Sequence, residues 1–183
     1  MGTSLTANQL WPKAVASRLR LCTGREASVE IVAGSGETSA WGRQQTDRVA
    51  NLHPDVVLVE FAVNDGTLQR FMTVRASVEN MTAIVTSLRA RNPAVRIIFM
   101  RMNPASGIRG WIRIRRGAYE AAHRELASRV NVEYVDFSDR WSSLTPIDLK
   151  RVIADGIHPD PAAAARLMAP TLANLIGGAR CAP

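Results

Sequence analysis

Apolar and polar residues alternate along this chain in two distinct periods. Four short runs rich in β-branched residues predict strands, and they lie at residues 28–33, 55–63, 95–100 and 132–137. The run at 55–63 is nearly continuous in apolar character, as expected for a parallel strand that is covered on both faces. Elsewhere apolar residues recur every three or four positions, which predicts helices at residues 11–22, 41–51, 74–91, 113–129 and 161–176.

This alternation of strands and helices predicts an α/β fold. Strands joined through helices pair in parallel by right-handed crossovers, which gives a doubly wound sheet with helices on both faces. We expect Asp160 to cap the last helix, Pro170 to kink it and residues 177–178 to end it. A polar loop is expected between the last strand and Asp155. No repeat or linker divides the chain, so one domain is expected over residues 1–183.

Composition is that of a globular protein with a basic balance. Hydrophobic residues make up 46% and charged residues 21%, and the formal net charge is +7. Arginines are densest at residues 109–116, around Trp111. No nucleic-acid motif accompanies them, so we expect a solvated face or a rim that attracts an anionic substrate, and no nucleic-acid partner.

No apolar run approaches the roughly 20 residues needed to span a bilayer, so no membrane span is expected. No signal peptide is visible, but the abrupt start before Gly2 leaves an export signal upstream as an alternative. The compartment and the oligomeric state stay unassigned. Two cysteines, Cys22 and Cys181, fit no zinc or redox spacing. We expect free thiols; the alternative is a disulfide between the first helix and the C-terminal tail, which implies an oxidising compartment.

The strongest chemical signal is the stretch from Asp155 to Pro159. A carboxylate three residues before His158 can hold the imidazole in one tautomer and stabilise its protonated form, as a general base requires. Metal ligation is the competing interpretation, but a third ligand is lacking. The other two histidines, His53 and His123, are expected to be structural or solvated.

Three further positions that could carry chemistry follow predicted strands or lie at the same rim of the sheet. Ser4 is either a nucleophile or a helix N-cap. Gly36 is either a turn glycine or a backbone oxyanion donor. Asn64 ends the strongest strand and is either a turn residue or a side-chain oxyanion donor. Ligands bind beyond the carboxyl ends of parallel strands, so we expect these three residues to lie at the same rim as His158.

Residues 2–6, 35–39, 61–65 and 155–159, in this order, resemble the four sequence blocks of the SGNH hydrolases, or GDSL esterases and lipases. The resemblance implies a flavodoxin-like three-layer α/β/α sandwich with a parallel sheet of about five strands. The family's Gly-Asp-Ser is Gly-Thr-Ser here, so Thr3 replaces a carboxylate. The chain begins two residues before Thr3, and we expect the first strand to be truncated.

The resemblance also implies a serine esterase that needs no metal or organic cofactor. Ser4 is then the nucleophile, His158 the base and Asp155 its orienting carboxylate, with an oxyanion hole formed by Ser4, Gly36 and Asn64. Small acyl groups on carbohydrate are the expected substrates, because no long apolar lid is present. Residues expected to touch a small-molecule or glycan ester are Asp65, Trp111 and Arg113. An impaired carbohydrate- or anionic-surface-binding module and an acyltransferase remain alternatives.

Overall fold

A parallel sheet forms the centre of the computed structural model, which describes residues 1–181. Its strands are β1 (Val56–Val59), β2 (Arg96–Arg101) and β3 (Glu133–Asp136), in the order β1-β2-β3. Both pairings are parallel, with Val56 opposite Arg96 and Ile98 opposite Glu133. Three of the four predicted strands are therefore confirmed: β1 and β3 are shorter than their predicted runs, and β2 is shifted by one residue.

Helices connect and cover the strands. In the first half of the chain they are α1 (Ser4–Ala7), α2 (Trp11–Thr23), α3 (Ser39–Gln44), α4 (Thr46–Ala50), α5 (Ala62–Asp65) and α6 (Val74–Arg91). In the second half they are α7 (Gly107–Trp111), α8 (Arg116–Arg129), α9 (Ser138–Ser142), α10 (Pro146–Val152) and α11 (Pro161–Gly177). Single 3₁₀ turns occupy Leu68–Arg70 and Gly178–Cys181. No helix within residues 1–181 combines the length and apolarity needed to cross a bilayer.

The expected sheet of about five strands is reduced to three strands and one extra bridge. Gly2 forms a single parallel bridge with Ala33, and the Glu60 N–H donates to the Met1 carbonyl at 3.2 Å. Residues 1–2 thus lie between β1 and the segment at 32–34. In a 2-1-3-4-5 sheet, residues 1–2 take the place of the first strand and residues 32–34 that of the second. The predicted strand at 28–33 does not form; Ala33 makes only the single bridge to Gly2.

Two apolar clusters lie on the two faces of the sheet and define three layers. Strand β2 contributes to both, because successive side chains of a strand point to opposite faces. Ile98 packs with Trp11 of α2 and Leu172 of α11 on one face. Phe99 packs with Ile84 of α6 and other residues of α6 and α8 on the second face. This arrangement confirms the three-layer α/β/α architecture.

Several helix boundaries differ from the expectation. The segment predicted as a polar loop forms α9 and α10, because Trp141 is buried in the core and Thr145 caps α10 by accepting from the Asp148 N–H. The predicted helix at 41–51 is interrupted at Gln45, between α3 and α4. The Asp160 side chain caps α11 as expected, accepting from the Ala163 N–H at 2.8 Å. α11 runs as one helix from Pro161 to Gly177 with Pro170 inside it, and it ends at Gly177 as expected.

The two cysteines form a disulfide, contrary to the expectation of free thiols. Cys22 and Cys181 lie 159 residues apart in sequence, with their Cα atoms 5.1 Å apart. This separation is ordinary for a disulfide. The pairing depends on α2 packing along α11, which places the last turns of the two helices side by side.

Candidate active site

Ser4 is the first residue of α1 and follows a short segment in which Met1 bonds to Leu58 of β1 and Gly2 bridges to Ala33. Thr3 is the N-cap of this helix, and its hydroxyl accepts from the Leu5 N–H at 3.1 Å. Ser4 itself is nearly buried. Thr3, and not Ser4, therefore has the capping role, which leaves the Ser4 hydroxyl available for other contacts.

A buried carboxylate, Glu60, holds this turn from below. It accepts from the Thr3 N–H at 2.6 Å, from the Thr3 hydroxyl at 2.9 Å and from the Thr6 hydroxyl at 2.8 Å. A Cβ atom at Gly2 would lie 2.3 Å from Glu60 Oε1, so only glycine fits there. Burial raises the pKa of Glu60 to about 7, although these hydrogen bonds act in the opposite direction. Glu60 supplies a carboxyl group beneath the turn that carries Ser4, where Thr3 replaces the family's aspartate.

His158 bridges Ser4 and Asp155. Its Nε2 lies 2.9 Å from Ser4 Oγ, and its Nδ1 lies 2.7 Å from Asp155 Oδ2. An ionised carboxylate can only accept, so Nδ1 carries the proton and Nε2 is left to accept from the serine hydroxyl. Ser4 and His158, which are 154 residues apart in sequence, are thus joined with Asp155 in one continuous series of hydrogen bonds.

The Asp155 carboxylate stays ionised. Partial burial acts to raise its pKa, but hydrogen bonds from the His158 ring, the His158 N–H and the Ile157 N–H outweigh it and lower the pKa to about 2. The two backbone bonds, at 2.7 and 2.9 Å, both go to Oδ1. Oδ2 therefore accepts from the imidazole without a competing backbone N–H.

The loop that carries Asp155 and His158 is fixed from two sides. Asn103, which is fully buried after β2, donates to the Ile157 carbonyl at 2.8 Å. Gln9, between α1 and α2, donates to the Pro159 carbonyl at 3.2 Å. Gly156 has φ +83°, and a Cβ there would lie 2.5 Å from the Ser106 carbonyl oxygen. The loop can take this shape only with glycine at 156.

Gly36 and Asn64 lie on adjoining segments. The Asn64 side chain donates to the Glu37 carbonyl at 2.9 Å, and the Gly34 N–H donates to the Gly2 carbonyl at 3.1 Å. Gly36 itself has φ +77°. Within residues 1–181 the N–H groups of Gly36 and Ser4 have no protein acceptor. Two backbone donors and the second Asn64 amide proton are therefore available to a ligand.

The three substrate-binding candidates are placed differently. Asp65 is only 1% exposed and accepts from the Ser39 N–H at 2.8 Å and the Ser77 hydroxyl at 2.5 Å. Ser77 also contacts Nε2 of His123 at 2.8 Å, and burial lowers the pKa of that histidine to about 4. This buried network ties α3, α5, α6 and α8 together. Asp65 is structural, so the expectation that it binds substrate is not supported.

Trp111 and Arg113 lie at the end of α7 and just after it. Trp111 is 67% exposed at the end of α7. Arg113 is half-buried, and its guanidinium donates to the Val63 carbonyl at 3.0 Å and to Asn64 Oδ1 at 3.4 Å. The latter contact orients the Asn64 amide.

Sequence reasoning missed three positioning residues: Glu60, Asn103 and Gln9. Glu60 had a visible signal, since it is a charged residue inside a run that is otherwise mostly apolar. Asn103 had a weaker one, since it follows a predicted strand at the same rim as Asn64. Gln9 had none, because its role depends on a contact 150 residues away.

A model of the GDSL-like Lipase/Acylhydrolase family matches residues 1–166. The chain belongs to this family. It is thus an ester-bond hydrolase, as the resemblance of its four segments implied. A search of curated proteins by sequence finds no match.

Solved structures with the same fold include a lipase/acylhydrolase from Enterococcus faecalis, with a TM-score of 0.82 and 22% identity. That comparison covers 97% of this chain and 93% of the other. The acetylxylan esterase Axe2 from Geobacillus stearothermophilus has a TM-score of 0.76 at 18% identity, covering 100% and 94% of the two chains. At these identities the likeness establishes the fold.

Proposed function

We propose that this GDSL-like hydrolase is a serine esterase in which Ser4 is the nucleophile, His158 the general base and Asp155 the carboxylate that orients it. The observation that carries the proposal is the hydrogen-bonded chain from Ser4 Oγ through both ring nitrogens of His158 to Asp155, at 2.9 and 2.7 Å. These are the distances over which a base removes a proton from a hydroxyl.

In the proposed reaction, Ser4 Oγ attacks the ester carbonyl while its proton moves to His158 Nε2. The negative charge that develops on the carbonyl oxygen is stabilised by the N–H groups of Ser4 and Gly36 and by the Asn64 amide. His158 then gives its proton to the leaving alcohol, which yields an acyl-enzyme on Ser4. Water, deprotonated by His158, releases the acid by the same sequence of steps.

Asp155 acts throughout as a fixed anion. Because its pKa is lowered to about 2, it neutralises the imidazolium that forms in each step without taking the proton itself. The hydrogen bonds to its loop from Asn103 and Gln9 keep the imidazole in place. Such rigid support reduces the reorganisation needed at the transition state.

For the substrate, we propose short acyl groups on carbohydrate or related alcohols. The exposed ring of Trp111 offers a stacking surface for a sugar next to Arg113, which contacts Asn64. One structural neighbour is named as an acetylxylan esterase. A series of p-nitrophenyl esters from acetate to decanoate should show the highest kcat/KM at the short end. A maximum at the long end contradicts this choice of substrate.

The nucleophile is tested by replacing Ser4 with alanine. Hydrolysis of p-nitrophenyl acetate should fall by about 10⁴-fold or more. Ser128→Ala is the matched control, because Ser128 is exposed on α8, on the side opposite α2 and α11, and should keep wild-type activity. If Ser4→Ala remains fully active, the assignment is wrong.

A further inference from the structure

Three arginine side chains, Arg70, Arg109 and Arg113, surround the residues proposed for catalysis; we refer to them as the arginine rim. Arg113 contacts Asn64 through Nη2, as described above. Arg109 Nε lies 3.6 Å from Asp155 Oδ2. Arg70 Nη2 lies 2.6 Å from the position that a Cβ of Gly36 would occupy. Each guanidinium thus adjoins a different residue of the proposed site.

The positive charge of this rim is poorly compensated within the protein. The hydrogen-bond partners of Arg113 are two carbonyls, of Val63 and Arg109, and the amide oxygen of Asn64, all of them neutral. Among the salt bridges within residues 1–181, neither Arg70 nor Arg113 takes part in one.

Within residues 1–181 the rim arginines form one salt bridge, to Asp155, and that carboxylate is already engaged. Arg109 approaches the same Asp155 oxygen that accepts from His158. The neighbouring Arg116 differs, because it is buried and paired with Glu120. In the described part of the protein the three guanidinium groups of the rim thus share a single salt bridge, and its carboxylate belongs to the proposed catalytic triad.

The charges around Arg113 also favour the binding of an anion. Burial, followed by repulsion from Arg109 and Arg116, lowers the pKa of Arg113. A half-buried charge with like charges around it is unfavourable unless an anion compensates it. Guanidinium groups bind carboxylates through paired N–H donors, and partial exclusion of water strengthens this binding. The formal net charge of +7 favours approach of an anionic ligand.

We propose that the arginine rim is an anion subsite, and that the preferred substrate of this enzyme carries a carboxylate close to the scissile ester. In a carbohydrate substrate this is an acylated sugar acid. The inference rests on the proposed esterase function, because the rim has a role only if Ser4 and His158 perform the chemistry. The carboxylate can belong to the acyl group or to the alcohol, and the experiment distinguishes the two.

The test compares ester pairs matched in length that differ in charge. For the acyl side, mono-4-nitrophenyl glutarate is compared with 4-nitrophenyl valerate. For the alcohol side, 3-acetoxybenzoate is compared with its methyl ester. In at least one pair, kcat/KM for the anionic ester should exceed that for the neutral ester by about tenfold or more. The pair that shows the preference locates the carboxylate. The preference should shrink in about 1 M salt, where the screening length is about 3 Å.

Arg70→Gln and Arg109→Gln should each reduce the anionic-to-neutral ratio by about threefold, and the double variant should bring it near one. Arg129→Gln is the matched control, because Arg129 is exposed at the far end of α8 and should leave the ratio unchanged. Using a ratio removes any general effect of a variant on turnover. A ratio near one in both pairs, or a preference that survives the double substitution, overturns the anion subsite. If none of the four esters is hydrolysed, the proposed esterase function is wrong.

Discussion

Reduction of the disulfide between Cys22 and Cys181 should cost stability but not catalysis. The bridge closes a loop across a sequence separation of 159 residues. In the chain-entropy model, closing a loop of this length restricts the unfolded state and raises its free energy by about 5 kcal/mol at 25 °C. Measured effects of native disulfides typically lie between about 2 and 5 kcal/mol. We therefore expect the free energy of unfolding to fall within this range on reduction.

Activity should be retained because the bridge lies far from the proposed catalytic residues. Cys22 is near the last turn of α2, roughly 15–20 Å along the helix from its first turn. At the first turn, Trp11 Nε1 donates to the Leu5 carbonyl at 2.9 Å, and Gln9 binds the loop of His158. The packing of α2 on α11 keeps these contacts in place without the bridge.

The assay is urea unfolding of the oxidised protein, of the same protein in a reductant, and of a Cys22→Ser/Cys181→Ser double variant. Thiol titration should find no free thiol before reduction and two after it. In parallel, kcat/KM on p-nitrophenyl acetate without urea should change by less than about twofold. An unchanged unfolding free energy refutes the role assigned to the disulfide. Loss of activity in protein that is still folded refutes the claim that helix packing positions Ser4 against His158.

Three further outcomes are expected. Gly36→Ala should lower the unfolding free energy by about 1 kcal/mol, because alanine is strained at φ +77°. It should also reduce kcat at least tenfold, because the residue 36 N–H turns away from the oxyanion. An unchanged kcat contradicts the donor role of Gly36. Asp155→Asn should reduce kcat/KM by about 10²–10⁴-fold, less than Ser4→Ala does, and equal losses argue against an orienting role. Burial raises the pKa of Glu60 from 4.5 to about 7, so the native state holds this proton more tightly, and the contribution of Glu60 to the free energy of unfolding should decline by up to about 3 kcal/mol as pH rises between these values. Urea unfolding at pH 5 and pH 8 should show that the wild type loses stability relative to Glu60→Gln between these pH values. The same pH dependence in both proteins contradicts this assignment.

Local patterns in the sequence predicted the architecture well. The apolar run at 55–63 and the helical stripes of α6 and α11 each show their period over enough residues to specify an element. The order of strands and helices then leaves few topologies, since crossovers are right-handed. The same reasoning placed Ser4, His158 and Asp155 on one rim, and the structure brings these three residues into hydrogen-bonding contact.

What the sequence did not predict depends on contacts between distant residues. The segment at 28–33 has strand character, but pairing requires a partner, and only Gly2 provides one. The disulfide depends on how α2 packs on α11. Asp65 looked like a ligand-binding residue because it follows a strand, yet its orientation toward Ser39 and Ser77 buries it. A polar residue at a strand end is therefore equally consistent with a site and with an internal support.

The most direct test of the central claim is covalent labelling by a fluorophosphonate, which reacts only with a serine whose hydroxyl is activated. The wild-type protein should gain one phosphonyl group, and peptide mapping should locate it on Ser4. The rate of labelling should fall by about 10³-fold or more in His158→Ala, while far-ultraviolet circular dichroism shows that the fold is kept. Labelling of another residue, or a His158→Ala variant that reacts as fast as the wild type, would contradict the account.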